Sequence, residues 1–308
     1  MSEFDALFKF VAKEDQKAYF APTTCQKDGM SGAQLIGTAV DGYASIDNLR
    51  SKTGGSKRTV EKLLAPLPST TVPIYCVGLN YRSHAAEAKL TVTKYPPLWT
   101  KPATSLADPG EDIALDEYLA LSLPDYEGEL VFVTSKDAKN IQASEADSYI
   151  LGYTVGNDLS CRFFQLPNNS GGQFFYAKAF DKFAPIGPLL VSTEKYNATS
   201  SGQRLSTRVN GQVVQDVELA KDMIFTPAQI LAHMSRGTTI PAGTAIMTGT
   251  PAGVGAFRSP KTFLQDGDVV EVEIESLGVL RNTIRFENMV WWRRLYIVVQ
   301  NLGLRLFT

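Results

Sequence analysis

Short apolar segments, separated by glycine, proline and polar residues, run along most of this chain. Residues 8–12, 74–77, 130–133 and 149–156 have the length and the β-branched or aromatic content of strands. Helical periodicity is clearest at residues 144–149 and 226–235, and Thr226 and Pro227 open the second segment in cap and first-turn positions. Sustained helical patterning is scarce, so the pattern predicts a strand-rich α+β fold.

The chain divides by composition into three predicted parts. Residues 1–71 predict a small N-terminal α/β module with a strand at 8–12, a hairpin in the glycine-rich stretch 29–42 and a short helix at 59–65. A Pro-Leu-Pro-Ser-Thr linker at 66–70 precedes a main domain, which we place at residues 72–287. Residues 288–308 form an apolar C-terminal tail.

Between Trp291 and Phe307 the tail holds eleven large apolar side chains, interrupted by Arg293, Arg294 and Arg305. Its uninterrupted apolar run, residues 295–299, is far below the roughly 20 residues needed to cross a bilayer. We expect this tail to pack on the body of the protein or on a partner subunit. An anchor in the membrane interface is the alternative, because Trp and Arg both suit that boundary.

Composition narrows the classes of function. The formal net charge is −2 and the isoelectric point is near 5.8, so no basic surface for nucleic acid is predicted. The three cysteines, Cys25, Cys76 and Cys161, lie far apart and form no Cys-x-x-Cys pair, which is typical of a reducing compartment. The first residues lack the pattern of a signal peptide. We expect cytoplasmic residence, with the mitochondrion as the alternative.

Two carboxylates in one strand are the first sign of chemistry. Glu127 and Glu129 stand at i and i+2 and therefore point to the same face of an apolar strand. Asp158, which follows a second apolar strand, can supply a third oxygen ligand. Three hard carboxylates without paired Cys or His favour Mg²⁺ or Mn²⁺, with Ca²⁺ also possible. The alternative is a solvated edge strand or a helix cap.

His84 directly follows a buried strand, where reactive side chains are often placed. On a helical turn Glu87 is its i+3 neighbour and can orient the imidazole, which makes His84 a candidate general base toward water. A surface ion pair is the alternative. The other histidine, His233, lies in an apolar helical segment and is interpreted as structural.

Positive charge follows in a second cluster. Arg162 can clamp a carboxylate with two hydrogen bonds, and Lys178 can stabilise a developing enolate. Alternatively, both cations are ion-pair partners of Asp158 and Asp181. A glycine-rich turn at 246–255 contains Gly249 and Thr250, and its N–H groups and hydroxyl can cradle an anionic oxygen or form only a turn.

Together these pieces resemble the fumarylacetoacetate hydrolase family. The resemblance covers residues 72–287 and rests on five ordered motifs: Gly78-Leu79-Asn80-Tyr81 with His84 and Glu87, Asp125-Tyr126-Glu127-Gly128-Glu129-Leu130, Gly156-Asn157-Asp158 with Arg162 and Gln165, Ala177-Lys178-Ala179-Phe180-Asp181, and Thr248-Gly249-Thr250-Pro251 with Gly253-Val254-Gly255.

The resemblance implies a β-rich roll-like domain, a homodimer, and Mg²⁺ or Mn²⁺ bound through Glu127, Glu129 and Asp158. It also implies that His84 and Glu87 activate a water molecule and sit on a lid segment. By the same analogy, the substrate's oxygens are held by residues in four positions: Arg162, Gln165, Lys178 and Thr250. Phe163 departs from the family pattern, because many members carry Asp there. That departure leaves the partner that orients Arg162 open.

The implied activity is metal-dependent cleavage of a carbon–carbon bond in a 2-oxo or β-diketo acid, such as an acylpyruvate or fumarylpyruvate. A 2-oxo acid chelates a metal through its carboxylate and keto oxygens, and cleavage leaves an enolate that the metal and Lys178 can stabilise. Rival interpretations are an oxaloacetate-type decarboxylase, an isomerase or hydratase on the same site, and a non-catalytic metal-stabilised scaffold. Fold and motifs do not choose among these chemistries.

Overall fold

A computed structural model describes residues 4–24 and 32–289 of the chain. In chain order the strands are Ala6–Ala12 (β1), Ala18–Thr23 (β2), Ala39–Gly42 (β3), Ser56–Leu64 (β4), Ile74–Val77 (β5), Leu98–Lys101 (β6), Leu106–Ala107 (β7), Asp112–Leu115 (β8), Pro124–Asp125 (β9), Gly128–Thr134 (β10), Ile150–Asn157 (β11), Ser160–Cys161 (β12), Ala184–Val191 (β13), Arg204–Val209 (β14), Gln212–Glu218 (β15), Ala245–Met247 (β16), Val269–Ile274 (β17) and Gly278–Phe286 (β18).

The helices between these strands are short. They are Ile46–Ser51 (α1), Arg82–Glu87 (α2), Glu117–Ala120 (α3), Pro167–Ser170 (α4), Phe175–Lys178 (α5), Leu219–Asp222 (α6) and Pro227–Met234 (α7). Turns of 3-10 helix lie at Gly32–Leu35, Ala103–Ser105, Ala143–Tyr149, Arg162–Gln165 and Gly255–Phe257. The predicted helical segments at 144–149 and 226–235 are therefore confirmed, and Thr226 caps α7 with its side chain.

Two sheets form the body of the protein, and the α+β prediction is confirmed. The larger sheet has eleven strands along the path β3-β4-β1-β13-β11-β10-β16-β5-β6, with β2 paired to β1 and β7 paired to β13. The smaller has five strands in the order β15-β14-β17-β18-β8, and β9 and β12 pair separately.

Strand β10 is buried on both faces because a hydrophobic core packs against each face of the larger sheet. Leu130 and Phe132 join a core shared with the smaller sheet, while Val131 and Val133 point to a second core on the opposite face. Gly128 lies against Thr207 of the smaller sheet, where a Cβ atom would be 2.1 Å from the hydroxyl oxygen. The carboxylates on either side of Gly128 therefore face away from the smaller sheet.

The prediction of a helix at 59–65 is wrong, because these residues lie in β4 and its end. Strand β4 pairs antiparallel with β1 and β3. Its register with β1 shifts, so that Ala12 pairs with Val60 and Val11 pairs with Lys62. This bulge buries both Val60 and Leu63, although they are three residues apart. The bulge thus explains why two buried residues of a strand show the spacing of three that is typical of a helix.

The predicted hairpin at 29–42 is also corrected within the described residues. Positions 32–42 contain one 3-10 turn and one strand, β3, whose partner β4 follows only after α1. Strand β1, from the predicted N-terminal module, pairs with β13, so the larger sheet continues across residue 72. The division at residue 72 stays a prediction.

Predictions for Cys25 and for the tail from residue 290 onward fall outside the described residues. Cys76 and Cys161 are free and buried. Within the described ranges, no helix has the length and apolar character needed to span a membrane.

Candidate active site

The three predicted metal ligands lie together where β10 begins and its antiparallel partner β11 ends. One carboxylate oxygen from each of Glu127, Glu129 and Asp158 lies within 4.8 Å of the others, and all three side chains are buried. The pairing of β10 with β11 sets this arrangement, since Asp158 N–H donates to the Glu127 carbonyl at 2.9 Å. Asn157 Oδ1 accepts from Glu127 N–H at 3.0 Å, which also holds the backbone of Glu127 next to the end of β11.

Buried cations surround the three carboxylates. Lys178 Nζ, at the end of α5, donates to Glu127 Oε2 at 2.9 Å and to Asp158 Oδ2 at 2.7 Å. Lys101 Nζ, at the end of β6, lies 2.5 Å from Asp158 Oδ1. Arg162 Nη1 donates to Glu127 Oε1 at 2.6 Å. Lys178 therefore contacts Asp158, as the ion-pair alternative predicted, and Glu127 as well.

Glu127, which directly precedes β10, and Glu129, within β10, experience opposite electrostatic environments. Burial alone would raise the pKa of Glu127, but the charges of Lys178 and Arg162 outweigh it and lower the pKa to about 2. Burial, together with the charges of Asp158 and Glu127, raises the pKa of Glu129 well above its usual value. Burial opposes the charge of Lys178, yet Asp158 and Glu127 outweigh it and raise the pKa of Lys178.

The hydrogen bonding of Glu129 shows whether these residues fit a bound metal ion. Its Oε2 accepts from Gly249 N–H at 2.7 Å, whereas its Oε1 is buried and has no hydrogen-bond partner among the described residues. A buried carboxylate oxygen without a donor is costly unless a cation neutralises it. The donor set is entirely oxygen, which suits a hard divalent ion. The residues present therefore fit a divalent metal held by Glu127, Glu129 and Asp158.

The His84–Glu87 pair lies in α2, directly after β5. His84 Nδ1 is 3.1 Å from Glu87 Oε2, and Glu87 Oε1 accepts from Gly253 N–H at 2.9 Å. The pair is nearly buried, with 13% and 18% of the two side chains exposed. The charge that His84 can carry lowers the pKa of Glu127, so the pair lies within electrostatic range of the carboxylate triad.

The carboxylate of Asp125 orients Arg162, a role that was not predicted from the sequence. Asp125 Oδ2 accepts from Arg162 Nε at 2.8 Å, and Asp125 also accepts from the backbone N–H groups of Gly255 and Ala256. Arg162 Nη1 donates to Gln165 Oε1 at 2.9 Å, while Nη2 is buried without a partner among the described residues. The carboxylate missing at Phe163 is thus supplied from β9.

The glycine-rich turn is tied to β10 by both of its predicted site residues. Gly249 has φ +95, a left-handed conformation that favours glycine, and its N–H donates to Glu129. Thr250 Oγ1 donates to the Gly128 carbonyl at 2.9 Å and accepts from Gln215 Nε2 at 2.8 Å. The structure therefore places Gly249 beside the carboxylate triad and commits the Thr250 hydroxyl to protein partners.

Three further residues belong to the site although the sequence analysis assigned them no role. Asp125 and Lys101 are fully buried, and Ser160 Oγ accepts from Lys178 Nζ at 2.8 Å. A charged residue inside an apolar strand, as Lys101 is in Leu-Trp-Thr-Lys, was the available signal. Asp125 and Ser160 lie next to singled-out motif residues, and their pairing in β9 and β12 brings them into the site.

Comparison with known proteins identifies the family. The family model described as fumarylacetoacetate (FAA) hydrolase C-terminal matches residues 73–285. The chain belongs to the fumarylacetoacetate hydrolase family. The match confirms the resemblance that the five motifs carried.

Relatives within the fumarylacetoacetate hydrolase family include oxaloacetate tautomerases. A fumarylacetoacetate hydrolase domain-containing protein 2 homolog of Dictyostelium discoideum is 36% identical over 80% of this chain and 82% of its own. The mitochondrial oxaloacetate tautomerase fahd2 of Xenopus laevis is 38% identical over 82% of this chain and 76% of its own. Oxaloacetate tautomerase YisK of Bacillus subtilis is 36% identical over 72% and 73% of the two chains.

Solved structures show the same fold. The 2-hydroxyhepta-2,4-diene-1,7-dioate isomerase of Mycobacterium marinum matches with a TM-score of 0.72 and 28% identity, over 92% of this chain and 99% of that chain. Fumarylacetoacetate hydrolase from Exiguobacterium antarcticum matches with a TM-score of 0.69 and 29% identity, over 92% and 99%. Members of this family are enzymes that act on small molecules. The relatives described above are named as hydrolases, isomerases and tautomerases.

Proposed function

We propose that this protein is a metal-dependent enzyme that transfers a proton on the enol or enolate of a 2-oxo dicarboxylic acid, as an oxaloacetate tautomerase does. The observation that carries the proposal is the buried carboxylate triad with Lys178 inside it and the His84–Glu87 pair beside it. The tautomerase names of relatives 36% and 38% identical support this choice over the hydrolysis that the sequence analysis favoured.

His84 is the proposed proton-transfer group. Glu87 accepts a hydrogen bond from the Nδ1–H of His84, which leaves Nε2 as the atom that takes or returns the substrate proton. The Gly253 N–H holds Glu87 from its other oxygen, so the imidazole ring has one supported orientation. Such positioning favours a rate gain of roughly 10²- to 10⁴-fold from general acid–base catalysis.

Arg162 and Lys178 are the proposed substrate-binding cations. The unpartnered Nη2 of Arg162 can donate to a substrate carboxylate while Asp125 holds the guanidinium from its Nε side. Lys178 carries the ammonium charge that stabilises an enolate oxygen. When bound at Glu127, Glu129 and Asp158, a divalent ion supplies Lewis acidity to the keto oxygen and so makes the neighbouring carbon more acidic.

Hydrolysis of an acylpyruvate or fumarylpyruvate is the second candidate. It is favoured by the 13% exposure of the His84 side chain, which leaves the imidazole at a position that water can reach. The same dyad then activates water rather than moving a substrate proton. Decarboxylation of oxaloacetate differs from both, because it needs the metal and Lys178 but no base.

One experiment separates the three chemistries. Metal-loaded protein is incubated separately with enol oxaloacetate, acetylpyruvate and fumarylpyruvate, while enol absorbance is followed and products are identified by mass spectrometry. A tautomerase accelerates loss of the enol without a change of mass, a hydrolase releases pyruvate, and a decarboxylase releases CO₂. Glu129→Gln should be inactive and His233→Asn fully active. Enol decay no faster than in buffer would refute the tautomerase proposal.

We also propose Mg²⁺ or Mn²⁺ as the ion, with Ca²⁺ as the alternative, and a cytoplasmic homodimer with a mitochondrial location as the alternative. Hard carboxylate ligands support the choice of ion. Metal analysis of the purified protein, analytical ultracentrifugation and cell fractionation test the ion, the oligomeric state and the compartment, respectively.

A further inference from the structure

The six oxygens of the carboxylate triad fall into two sets. One oxygen of each carboxylate faces a fixed protein group. Arg162 donates a hydrogen bond to Glu127 Oε1 and Gly249 N–H donates to Glu129 Oε2, while Lys101 Nζ forms an ion pair with Asp158 Oδ1, which has no hydrogen-bond partner among the described residues. Among the described residues, Glu127 Oε2 and Asp158 Oδ2 accept hydrogen bonds from Lys178 alone, and Glu129 Oε1 has no hydrogen-bond partner.

Lys101 is held too firmly to follow Asp158 if that side chain rotates. Its side chain is fully buried, and an ammonium group has three donors. Two of them reach the carbonyls of Leu159 and Phe183, at 3.1 Å and 2.7 Å, and the ammonium charge forms an ion pair with Asp158 Oδ1 at 2.5 Å without a hydrogen bond. Asp158 Oδ1 therefore stays with Lys101, and only Oδ2 remains for another cation.

We propose that Lys101 is a positioning residue that limits Asp158 to one metal-ligating oxygen and so makes the site select a small octahedral ion over Ca²⁺. Ca²⁺ takes six to eight oxygens and commonly binds carboxylates through both oxygens, whereas Mg²⁺ requires six in near-ideal geometry. A triad in which every carboxylate offers a single oxygen suits Mg²⁺ or Mn²⁺. The inference deepens the metal site on which the proposed function rests.

Lys178 provides the matched control. Its Nζ lies 2.7 Å from Asp158 Oδ2, and Lys101 Nζ lies 2.5 Å from Asp158 Oδ1, so removal of either ammonium takes the same charge from nearly the same distance. Loss of either charge should raise the affinity for every divalent ion. Only loss of Lys101 frees a second oxygen of Asp158, and that change should alter the ratio between two ions of equal charge.

The test is calorimetric titration of the full-length apo-protein, without substrate, with Mg²⁺ and with Ca²⁺. Lys101→Met should raise the Ca²⁺-to-Mg²⁺ affinity ratio roughly tenfold, a usual size for outer-shell effects on metal affinity. Lys178→Met should tighten binding of both ions and leave the ratio as in the wild type. Should Lys101→Met fail to fold, Lys101→Gln, which removes the charge and keeps an amide donor for the carbonyls of Leu159 and Phe183, carries the same expectation.

An unchanged ratio in Lys101→Met, or in Lys101→Gln where that variant replaces it, overturns the inference, as does an equal change of ratio in Lys178→Met. A wild-type protein that binds neither ion overturns it together with the metal assignment. Because no substrate is present, absence of turnover in the separate product assay refutes the proposed function and leaves this result standing.

Discussion

The same substitution at two positions two residues apart should have opposite effects on stability. Glu127→Gln and Glu129→Gln each replace a buried carboxylate by a neutral amide of nearly equal volume. Glu127 is held by Arg162 and Lys178, whereas Glu129 accepts one hydrogen bond and faces two other carboxylates. The metal-free protein should therefore lose stability in the first variant and gain it in the second.

The magnitudes follow from these contacts. Glu127 has a pKa lowered to about 2, so at neutral pH its ionised form stabilises the folded state, and this contribution is lost only as pH falls toward that value. Removing one partner of a buried ion pair costs about 3 kcal/mol. Replacing the poorly compensated charge of Glu129 with an amide should contribute about 1 to 2 kcal/mol, because the Gln NH₂ can donate to the neighbouring carboxylates.

Thermal unfolding at pH 7.5 in a chelating buffer, at one scan rate, measures both effects. At roughly 2 to 4 °C per kcal/mol, the melting temperature should fall by about 6 to 12 °C in Glu127→Gln and rise by a few degrees in Glu129→Gln. Saturating Mg²⁺ should raise the wild-type value and shift Glu129→Gln much less. If both variants melt earlier by similar amounts without metal, the electrostatic assignment of the two glutamates is wrong.

Three further predictions concern single residues. His84→Asn should slow turnover roughly 10²- to 10⁴-fold while metal affinity by calorimetry stays near wild type, with His233→Asn as control; a loss of metal binding would contradict the base assignment. Asp125→Asn should raise KM more than it lowers kcat, because Arg162 loses its orienting carboxylate; unchanged steady-state kinetics would show that Arg162 is held otherwise. Leu7→Ala should cost about 2 to 5 kcal/mol in a single calorimetric transition, because buried Leu7 pairs with Leu190 in the shared sheet, whereas the exposed Val213→Ala should be nearly neutral; two separate transitions would indicate an independent N-terminal module.

The sequence alone determined the strand-rich class and the three carboxylates of the triad. Strand periodicity of two places Glu127 and Glu129 on one face, and the helical spacing of three brings His84 to Glu87. These relations are local, so they survive without knowledge of the fold. The prediction of a helix at residues 59–65 was wrong because it used local spacing alone. The bulge in β4 depends on the partner strand β1, which local spacing does not describe.

Only the tertiary structure decided which cations neutralise these carboxylates. Asp125 lies 37 residues from Arg162 and 130 residues from Gly255, yet it binds both. Lys101 reaches Asp158 because β5 and β6 complete one end of the larger sheet. Contacts of this kind arise from strand order and register, and no local periodicity in the chain encodes them. The sequence therefore identified the residues that carry the charge, while the fold assigned the partners that determine what each charge can do.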